Sequence, residues 1–457
     1  MTQNVLGQIY DYVDQYFDEH LAATQRYLRQ PSISSQNLGI EECAEMTAGI
    51  LRELGSEATL VPLEGGHPVV YGHLSSRSSD RTLLVYGMYD VQPVEPLDAW
   101  ESPPFQAQIV GDRIIGRGAY NTKGPLMAFL NGIRSIQAVA GDVPVNMVFV
   151  IEGEEELGSK NLPQFIENYA DELQVCEGMY FHMPTEFIRG SPLVLLGCKG
   201  VAYFELEVKT LPTDAHSMTA PVVRNPVWRL ISALGSMRGA GDRILIDGFY
   251  EDVQPPSEED EKLLPELVDT FGPGGLEAMY GIKDLGSDLT GVDFVRQLIF
   301  GPSLNIDGFA AGHTGSGIKT IVPASAMCKV DIRLVPDMTV QQVMGGVRAH
   351  LDHLGYEDIE IRLLAGYNPA KTSMKESVVQ AAVRSIQRMG IEPKVVPMIP
   401  SSGPQVMFSD PPLNVPLVIS GLGHGWLMHA PNEYIEVEGL RSCEKSAVAF
   451  LYEFGAV

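Results

Sequence analysis

Cysteine is scarce in this sequence: the chain of 457 residues has five, all widely spaced. No C-x-x-C pair occurs, so the sequence lacks the usual pattern of a zinc knuckle or a redox disulfide. Basic residues are also few, with 32 lysines and arginines against 58 aspartates and glutamates, which gives a formal net charge of −26. A field of that sign repels phosphate groups, so we expect neither nucleic acid nor an anionic membrane surface as a partner.

Long apolar runs are missing as well. No stretch reaches the roughly 20 residues that a membrane-spanning helix needs. The N-terminal segment MTQNVLGQIYDYVDQYFDEH is acidic, and it has neither the basic start nor the apolar centre of a secretory signal. Sparse cysteines are typical of a reducing compartment, so these absences together predict a cytoplasmic protein.

Alternating strand and helix patterns predict an α/β fold for the first part of the chain. Residues 82–89 and 146–151 are short apolar runs typical of buried strands. The segment 124–139 between them has the apolar spacing of a helix. A strand, a helix and a second strand in this order predict a parallel or mixed sheet covered by helices.

The pattern changes near residue 200. Residues 201–208 alternate as a half-exposed strand does, and similar segments follow it together with two helical patterns. This mixture predicts a smaller α+β domain with one open sheet face. We therefore expect a catalytic domain built from residues 1–195 and 371–457, interrupted by an inserted lid or dimerisation domain at 196–370. The acidic, proline-rich stretch 254–266 is predicted to be a loop.

Acidic residues directly follow both predicted strands of the first domain. Asp90 comes after the first strand, and a run of three glutamates, 154–156, comes after the second. In open α/β sheets, binding sites form at the carboxyl ends of strands, so we expect these carboxylates to share a site. A glutamate run is more often a solvated loop, and an aspartate is a common turn former. Their position after buried strands favours the site.

Five motifs give this site a family resemblance. In chain order they are VYGMYDVQPV…GRGAYNTKG (85–124), EGEEELGS (152–159), DAHS (214–217), IRLVP (332–336) and HAPNE (429–433). Together they resemble the carnosinase- and aminoacylase-type dinuclear-zinc metallopeptidases, in the dipeptidase branch, over nearly the whole chain. The resemblance implies a zinc-exopeptidase-like fold with an inserted α+β lid domain. It also implies amide hydrolysis by water that two zinc or manganese ions activate.

The resemblance assigns roles to individual positions. Glu155 would be the general base and later the general acid, and Glu156 and His429 would be metal ligands. Asp90 would orient a histidine ligand from behind. The position of that histidine holds Met88, whose soft thioether does not suit a hard dication, and we interpret Met88 as a core residue.

Two further ligand positions depart from the family pattern. The bridging aspartate is replaced by Asn121, and a later aspartate falls at about His182. Asparagine is neutral and equally suits the N-cap of the following helix. With only Glu156 anionic among the ligands, two dications would leave excess positive charge in a poorly hydrated cleft. We therefore expect at most one zinc or manganese ion per chain, held by Glu156 and His429 with Asn121 or His182, or no ion at all.

The substrate-binding positions are better retained. His216 matches a lid residue that, in the family, stabilises the oxyanion in a partner subunit, so the resemblance implies a homodimer. Arg333 matches a residue that binds a substrate carboxylate, a task that suits a guanidinium group. Thr320 matches a hydrogen-bonding threonine near it. Ser402 and Gly403 stand where the family has a different loop, and we expect them to donate to the same carboxylate.

These positions predict an enzyme that hydrolyses a small amide or peptide-like molecule carrying a carboxylate. The residues leave two alternatives open. A metal-free lyase, isomerase or acyl-transfer enzyme would use Glu155 and Asp90 to move protons. A non-catalytic binding homologue would keep the same fold, but it would have no chemical need for Glu155.

Overall fold

The protein is described here by a computed structural model of residues 2–456, with side chains from residue 4 onward. Within this range the α-helices are α1 (Thr2–Arg29), α2 (Ile40–Glu53), α3 (Lys123–Ala140), α4 (Leu162–Leu173), α5 (Pro226–Ser236), α6 (Glu258–Leu263), α7 (Val268–Phe271), α8 (Pro273–Tyr280), α9 (Gly291–Phe300), α10 (Val340–His353), α11 (Ser377–Arg388) and α12 (Val437–Gly455). The strands are β1 (Glu57–Val61), β2 (Val69–Leu74), β3 (Thr82–Met88), β4 (Gln108–Val110), β5 (Arg113–Ile115), β6 (Asn146–Glu152), β7 (Met179–His182), β8 (Leu193–Leu195), β9 (Gly197–Cys198), β10 (Gly200–Lys209), β11 (Ala215–His216), β12 (Ser303–Ala311), β13 (Ile321–Val322), β14 (Ser325–Leu334), β15 (Glu360–Tyr367), β16 (Ala370–Lys371), β17 (Lys394–Val396), β18 (Leu417–Ser420), β19 (Gly425–Trp426) and β20 (Tyr434–Glu436).

The larger sheet has eight strands in the order β1-β2-β6-β3-β7-β18-β8-β17. Its centre, from β6 through β3 and β7 to β18, is parallel. Antiparallel pairs join β1 to β2, β2 to β6 and β18 to β8. The strands β3 and β6 are buried at nearly every position, as expected where helices cover both faces of a sheet. The prediction of a parallel or mixed sheet covered by helices is confirmed, and the sheet is mixed.

Helices pack on both faces of this sheet. One apolar core joins one face to α2, α3, α11 and α12, and a second core joins the other face to α4. Helix α3 is followed by Gly141, which adopts a left-handed φ of 73° and donates its N–H to the carbonyl of Gln137 at 2.9 Å. Its first residue is Lys123 and its N-cap is Thr122, so Asn121 lies in the turn that leads into α3.

A second, antiparallel sheet has the strand order β12-β14-β10-β15, with α5 and α10 packed against it. Helix α10 begins at a capping box in which Thr339 and Gln342 bond each other's backbone N–H groups. The chain leaves the larger sheet through β9 and returns through β16, and these two strands pair with each other. The proposed domain boundaries after residues 195 and 370 stay a prediction.

The prediction of a loop at 254–266 is wrong in part, because α6 spans Glu258–Leu263. Ser257 Oγ accepts a hydrogen bond from the N–H of Asp260, and the Asp260 carboxylate accepts one from the N–H of Ser257. This reciprocal pair starts the helix despite the preceding prolines. The S-x-x-D signal is present in the sequence, but it is embedded in a run of acidic residues.

Candidate active site

The acidic residues meet at the carboxyl edge of β3 and β6, which are neighbouring parallel strands. Asp90 is fully buried, and its two carboxylate oxygens accept the backbone N–H groups of Glu155 (3.2 Å) and Glu156 (3.0 Å). Asp90 therefore holds the turn after β6 in place. Burial raises the pKa of Asp90 well above its usual value, and the nearby charges of Glu156 and Glu152 raise it further.

The Glu156 carboxylate is the centre of a network that we call the amide–carboxylate cluster: Gln92, Asn121, Glu156 and His429. Asn121 Nδ2 donates to Glu156 Oε1 at 2.8 Å, and Gln92 Nε2 donates to Glu156 Oε2 at 2.8 Å. His429 Nε2 lies 3.3 Å from Glu156 Oε2 and 3.1 Å from Asn121 Nδ2. The side-chain amide of Asn121 must turn its NH2 group toward Glu156, because its oxygen would be repelled by the carboxylate.

Asn121 bonds a side chain of the site rather than capping the helix that follows it. The N-cap of α3 is Thr122, not Asn121, and the Asn121 side chain bonds the Glu156 carboxylate. The structure therefore brings Asn121 together with Glu156 and His429, and it does not use Asn121 as a helix cap. Hydrogen bonding to Glu156 is the main cause that raises the pKa of His429.

A buried ion pair, which sequence reasoning missed, positions the turn that carries Asn121. Arg117 Nη1 donates to Glu433 Oε2 at 2.8 Å, and both side chains are almost fully buried. The Glu433 carboxylate also accepts the backbone N–H groups of Gly118 (3.2 Å), Tyr120 (3.0 Å) and Asn121 (2.8 Å). Arg117 and Glu433 stand in the motifs GRG and HAPNE, so the motifs themselves were the available signal.

Glu155 lies beside this cluster and is partly buried. Burial raises the pKa of its carboxyl well above the usual value, and the charges of Glu156, Asp90 and Glu152 act in the same direction. Burial also raises the pKa of Glu152 to about 7, and the Tyr86 hydroxyl donates to that carboxyl at 2.7 Å. A carboxyl group whose pKa is raised by burial and by neighbouring carboxylates is suited both to accept and to donate a proton during a reaction.

Among residues 4–456, the Glu155 carboxyl makes no hydrogen bond to another residue, whereas its acidic neighbours all do. Asp90 and Glu156 are bonded as described, and Glu154 accepts from Asn161 Nδ2 at 2.9 and 3.0 Å. The run 154–156 is therefore not a plain solvated loop. It presents one unengaged carboxyl group next to engaged ones.

The side chains at this edge do not fit the two-ion centre that the family resemblance implies. Met88 is buried in the core, as expected from its thioether, and Asn121 offers its NH2 group toward Glu156. His182 is not brought to the cluster: its ring nitrogens lie 2.9 Å from Tyr180 Oη and 3.1 Å from the Cys443 carbonyl oxygen. Burial lowers the pKa of His182 to about 3. Within the described chain, no three His, Cys, Asp or Glu side chains are arranged to hold a metal ion.

The predicted substrate-binding residues form two further groups. His216 and Thr320 are exposed neighbours, because β11 pairs with β13 and the N–H of Ser217 donates to the Thr320 carbonyl at 3.1 Å. His216 Nδ1 accepts the N–H of Met218 at 3.1 Å, so in the neutral ring the proton sits on Nε2. That tautomer leaves an outward N–H donor on an exposed imidazole.

Arg333 and Ser402 form the second group. Arg333 Nη1 donates to Ser402 Oγ at 3.0 Å, and Arg333 Nε donates to Asp331 Oδ1 at 2.9 Å. Ser402 Oγ in turn donates to the Gly200 carbonyl at 3.0 Å. Gly403 follows Ser402, and the Gln405 side chain packs closely on it. The structure thus brings Arg333 to the loop that contains Ser402 and Gly403.

No helix in residues 2–456 combines the length and the apolar character that a membrane crossing requires.

Comparison with known proteins identifies the family. The profile of peptidase family M20/M25/M40 matches residues 84–453. The crystal structure of an M20 family metallo-carboxypeptidase from Sulfolobus solfataricus is 34% identical with a TM-score of 0.90, covering 96% of this chain and 100% of that one. Human carnosine dipeptidase 1 is 26% identical with a TM-score of 0.82, covering 99% and 100%.

A curated relative extends the same result. The Beta-Ala-His dipeptidase of Rattus norvegicus is 27% identical over 418 residues, which is 86% of this chain and 84% of the relative. These matches confirm the resemblance and the α/β fold expected from the motifs. The chain belongs to peptidase family M20/M25/M40, and its reaction class is the hydrolysis of peptide C–N bonds.

Proposed function

We propose that this protein hydrolyses an amide or peptide-like bond in a small molecule that carries a carboxylate, with Glu155 as the catalytic acid and base. The observation that supports this proposal is the state of the Glu155 carboxyl, which is partly buried and makes no hydrogen bond within residues 4–456, while Asp90, Glu154 and Glu156 beside it are all engaged. A group that is free to reach water and substrate is what acid–base catalysis requires.

Each other residue has a task that its contacts suit. Asp90 fixes the backbone of Glu155 and Glu156, so the base is presented at a fixed point of the sheet edge. His216 acts across the proposed dimer: through Nε2–H it polarises the carbonyl oxygen of a substrate bound in the second chain, which becomes negative as water attacks. Arg333, which is bonded to Ser402, binds the substrate carboxylate. Thr320, whose backbone bonds the residue after His216, adds a further hydrogen-bond donor for the substrate. Gly403, in the same loop as Ser402, offers its backbone N–H to the substrate carboxylate.

During the reaction, Glu155 removes a proton from water as the oxygen attacks the carbonyl carbon. It then delivers that proton to the leaving nitrogen as the C–N bond breaks. Proton count and charge balance over the cycle, since Glu155 returns to its starting state. The amide–carboxylate cluster keeps its hydrogen bonds throughout, and it acts as the fixed wall beside Glu155.

The proposal includes at most one zinc or manganese ion per chain, or none. Glu156 and His429 are two ligands in contact, and Asn121 turns its NH2 group rather than its oxygen toward them. His182 is not included, since its ring nitrogens bond elsewhere. With Glu156 as the single carboxylate of the cluster, a second dication would leave uncompensated positive charge, which is costly in a poorly hydrated site.

The assembly is proposed to be a homodimer through the smaller sheet. Strand β12 lies at the edge of that sheet and leaves Ile306 and Phe309 about half exposed. An exposed edge with apolar side chains is suited to pairing with a second chain. A cytoplasmic location is proposed on a separate ground: all five cysteines are free and buried, which is usual for a reducing compartment.

Elemental analysis and turnover measurements test this proposal together. Protein purified without chelator should hold no more than one zinc or manganese per chain. Turnover of a panel of dipeptides and N-acyl amino acids should depend on that single ion where it is found, and should survive treatment with a chelator where no ion is found. Two ions per chain, with activity that disappears on chelation and returns with zinc, would overturn the proposal. Absence of all hydrolysis over the panel would favour the lyase-type or binding alternatives.

A further inference from the structure

An apolar cavity of about 440 Å³ lies against Arg333, and the mechanism above does not use it. Its wall includes the aromatic side chains of Phe187 and Trp426, whose rings meet edge to face at 6.3 Å, together with Leu276 and Ile282. Among the residues that line it, Arg333 is the single charged one. Its volume is in the usual range for small-molecule sites.

Arg333 is held so that part of its guanidinium group stays available. Nε is bound to Asp331 and Nη1 to Ser402, but Nη2 makes no hydrogen bond to any residue in the described range 4–456. About a third of the Arg333 side chain is exposed. A guanidinium that is held in place and keeps one nitrogen free can donate that nitrogen's N–H groups to a carboxylate, so Arg333 is suited to bind one at the edge of this apolar wall.

Residues that line the cavity are sequence neighbours of residues in the candidate active site. Met428 lines it and directly precedes His429 of the amide–carboxylate cluster. Ser401 lines it too, and the next residue, Ser402, bonds Arg333. The cavity therefore includes the carboxylate-binding Arg333 in its wall and reaches the residue next to His429, so the part of the substrate that carries the carboxylate would sit in it.

We propose that the substrate's carboxylate-bearing residue has a bulky apolar side chain, aromatic or long aliphatic, which fills this cavity while Arg333 binds the carboxylate. The inference deepens the proposed function and rests on it for the orientation of the substrate. The carboxylate and the bulky side chain belong to the same end of the substrate, because Arg333 and the apolar wall belong to one cavity of the protein. Small or polar residues at that end would leave the apolar wall in contact with water.

Calorimetric titration of the full chain tests this inference without requiring turnover. The three probes are N-acetyl-L-phenylalanine, N-acetyl-L-alanine and N-acetyl-L-phenylalanine amide, which has no carboxylate. We expect the phenylalanine compound to bind at least about tenfold more tightly than the alanine compound, from the extra apolar area that it buries. We expect the amide to lose at least about tenfold relative to the acid, because it removes the partner of Arg333. Equal affinity for all three probes would overturn the inference.

A pair of variants assigns the binding to this cavity. Ile282→Glu puts a negative charge in the cavity wall, and it should weaken N-acetyl-L-phenylalanine at least about tenfold. Leu289→Glu is the matched control: Leu289 is 40% exposed, against 39% for Ile282, but it is not part of the wall. The control should bind as the parent does. If both variants weaken binding equally, or neither does, the cavity is not the site.

The two proposals fail in different ways. Hydrolysis of small polar dipeptides with no preference for the phenylalanine probe would remove the inference and leave the proposed function standing. A clear preference for the phenylalanine probe in a protein that hydrolyses nothing would remove the proposed function and keep the cavity as a binding site for apolar carboxylates.

Discussion

The amide–carboxylate cluster and the Arg333–Ser402 group are two regions of the molecule that treat charge in opposite ways. In the cluster, Glu156 is satisfied by side chains of the same protein, two amides and an imidazole. At Arg333, the positive group is fixed by Asp331 and Ser402 but keeps a nitrogen free. The first region is closed on itself, whereas the second is open to a ligand.

The proposal of at most one ion per chain requires that side chains of the protein, rather than a pair of dications, hold this edge of the sheet together. Several carboxylates at one sheet edge repel each other, and a dication is the usual way to hold them together. Here Asn121 supplies N–H donors where the family pattern has an anion, and Asp90 binds backbone N–H groups. N–H donors thus hold in place carboxylates that would otherwise repel each other.

The largest expected effect separates Glu155 from the engaged glutamates around it. Glu155→Gln removes the proton acceptor while keeping the shape, and turnover should fall at least about a hundredfold. The control is Glu154→Gln, whose side chain still accepts from Asn161, and it should change turnover little. Initial rates on the best substrate of the panel provide the measurement. Equal losses in both variants would mean that the run 154–156 is only structural.

The next largest effect is on stability, and it concerns the buried ion pair of Arg117 and Glu433, which positions the turn that carries Asn121. Arg117→Met leaves the Glu433 carboxylate buried without its partner, which should cost about 3–5 kcal/mol of unfolding free energy. Arg238→Met breaks a surface pair with Asp242 and should cost less than about 1 kcal/mol. Urea denaturation of the two variants measures both values. Similar small losses would show that Glu433 holds the Asn121 turn through its backbone contacts alone.

A third, smaller effect tests whether the closed region can be turned back toward a metal site. Asn121→Asp places a second carboxylate against Glu156, so stability without metal should fall by about 1–3 kcal/mol. Zinc should restore the melting temperature of this variant, because two carboxylates and His429 then surround one position.

Asn161→Asp is the matched control for that experiment. It also sets a new carboxylate against an existing one, that of Glu154, but within the described residues no imidazole bonds Glu154. The control should lose stability without regaining it on zinc addition. If the unaltered protein gains as much from zinc as Asn121→Asp does, the cluster binds zinc without the added carboxylate and is not closed.

Much of this arrangement was predictable because it depends on local patterns. Buried strands are visible as apolar runs, so the meeting of Asp90 with the glutamates at one sheet edge follows from the order of strands and helices. The helix α6 was missed for a local reason as well, since its cap at Ser257 lies within a stretch whose composition suggests a loop.

The parts that were not predictable depend on contacts between distant residues. Glu433 binds the backbone of residue 121 across more than three hundred positions, and backbone N–H groups leave no mark in a sequence. The amide of Gln92 is likewise one of many glutamines until its partner Glu156 is known. His182 matched by its position in the chain order, but β7 is buried at all four positions, so its ring nitrogens bond groups of the core.

The smallest expected effect is that of Met88→Leu, which tests whether Met88 belongs to the core or to the candidate site. Met88 is buried at the end of β3, and the family pattern has a metal-binding histidine at this position. If its role here is packing alone, Met88→Leu, which nearly conserves volume, should cost less than about 1.5 kcal/mol and leave turnover unchanged. Met88→Ala should cost about 2–5 kcal/mol through the cavity it opens, again without a specific loss of turnover per folded molecule. Denaturation curves and rates measured on the same samples separate the two quantities. A large loss of turnover in Met88→Leu at unchanged stability would mean that the thioether contacts the substrate. Met88 would then belong to the candidate site and not to the core.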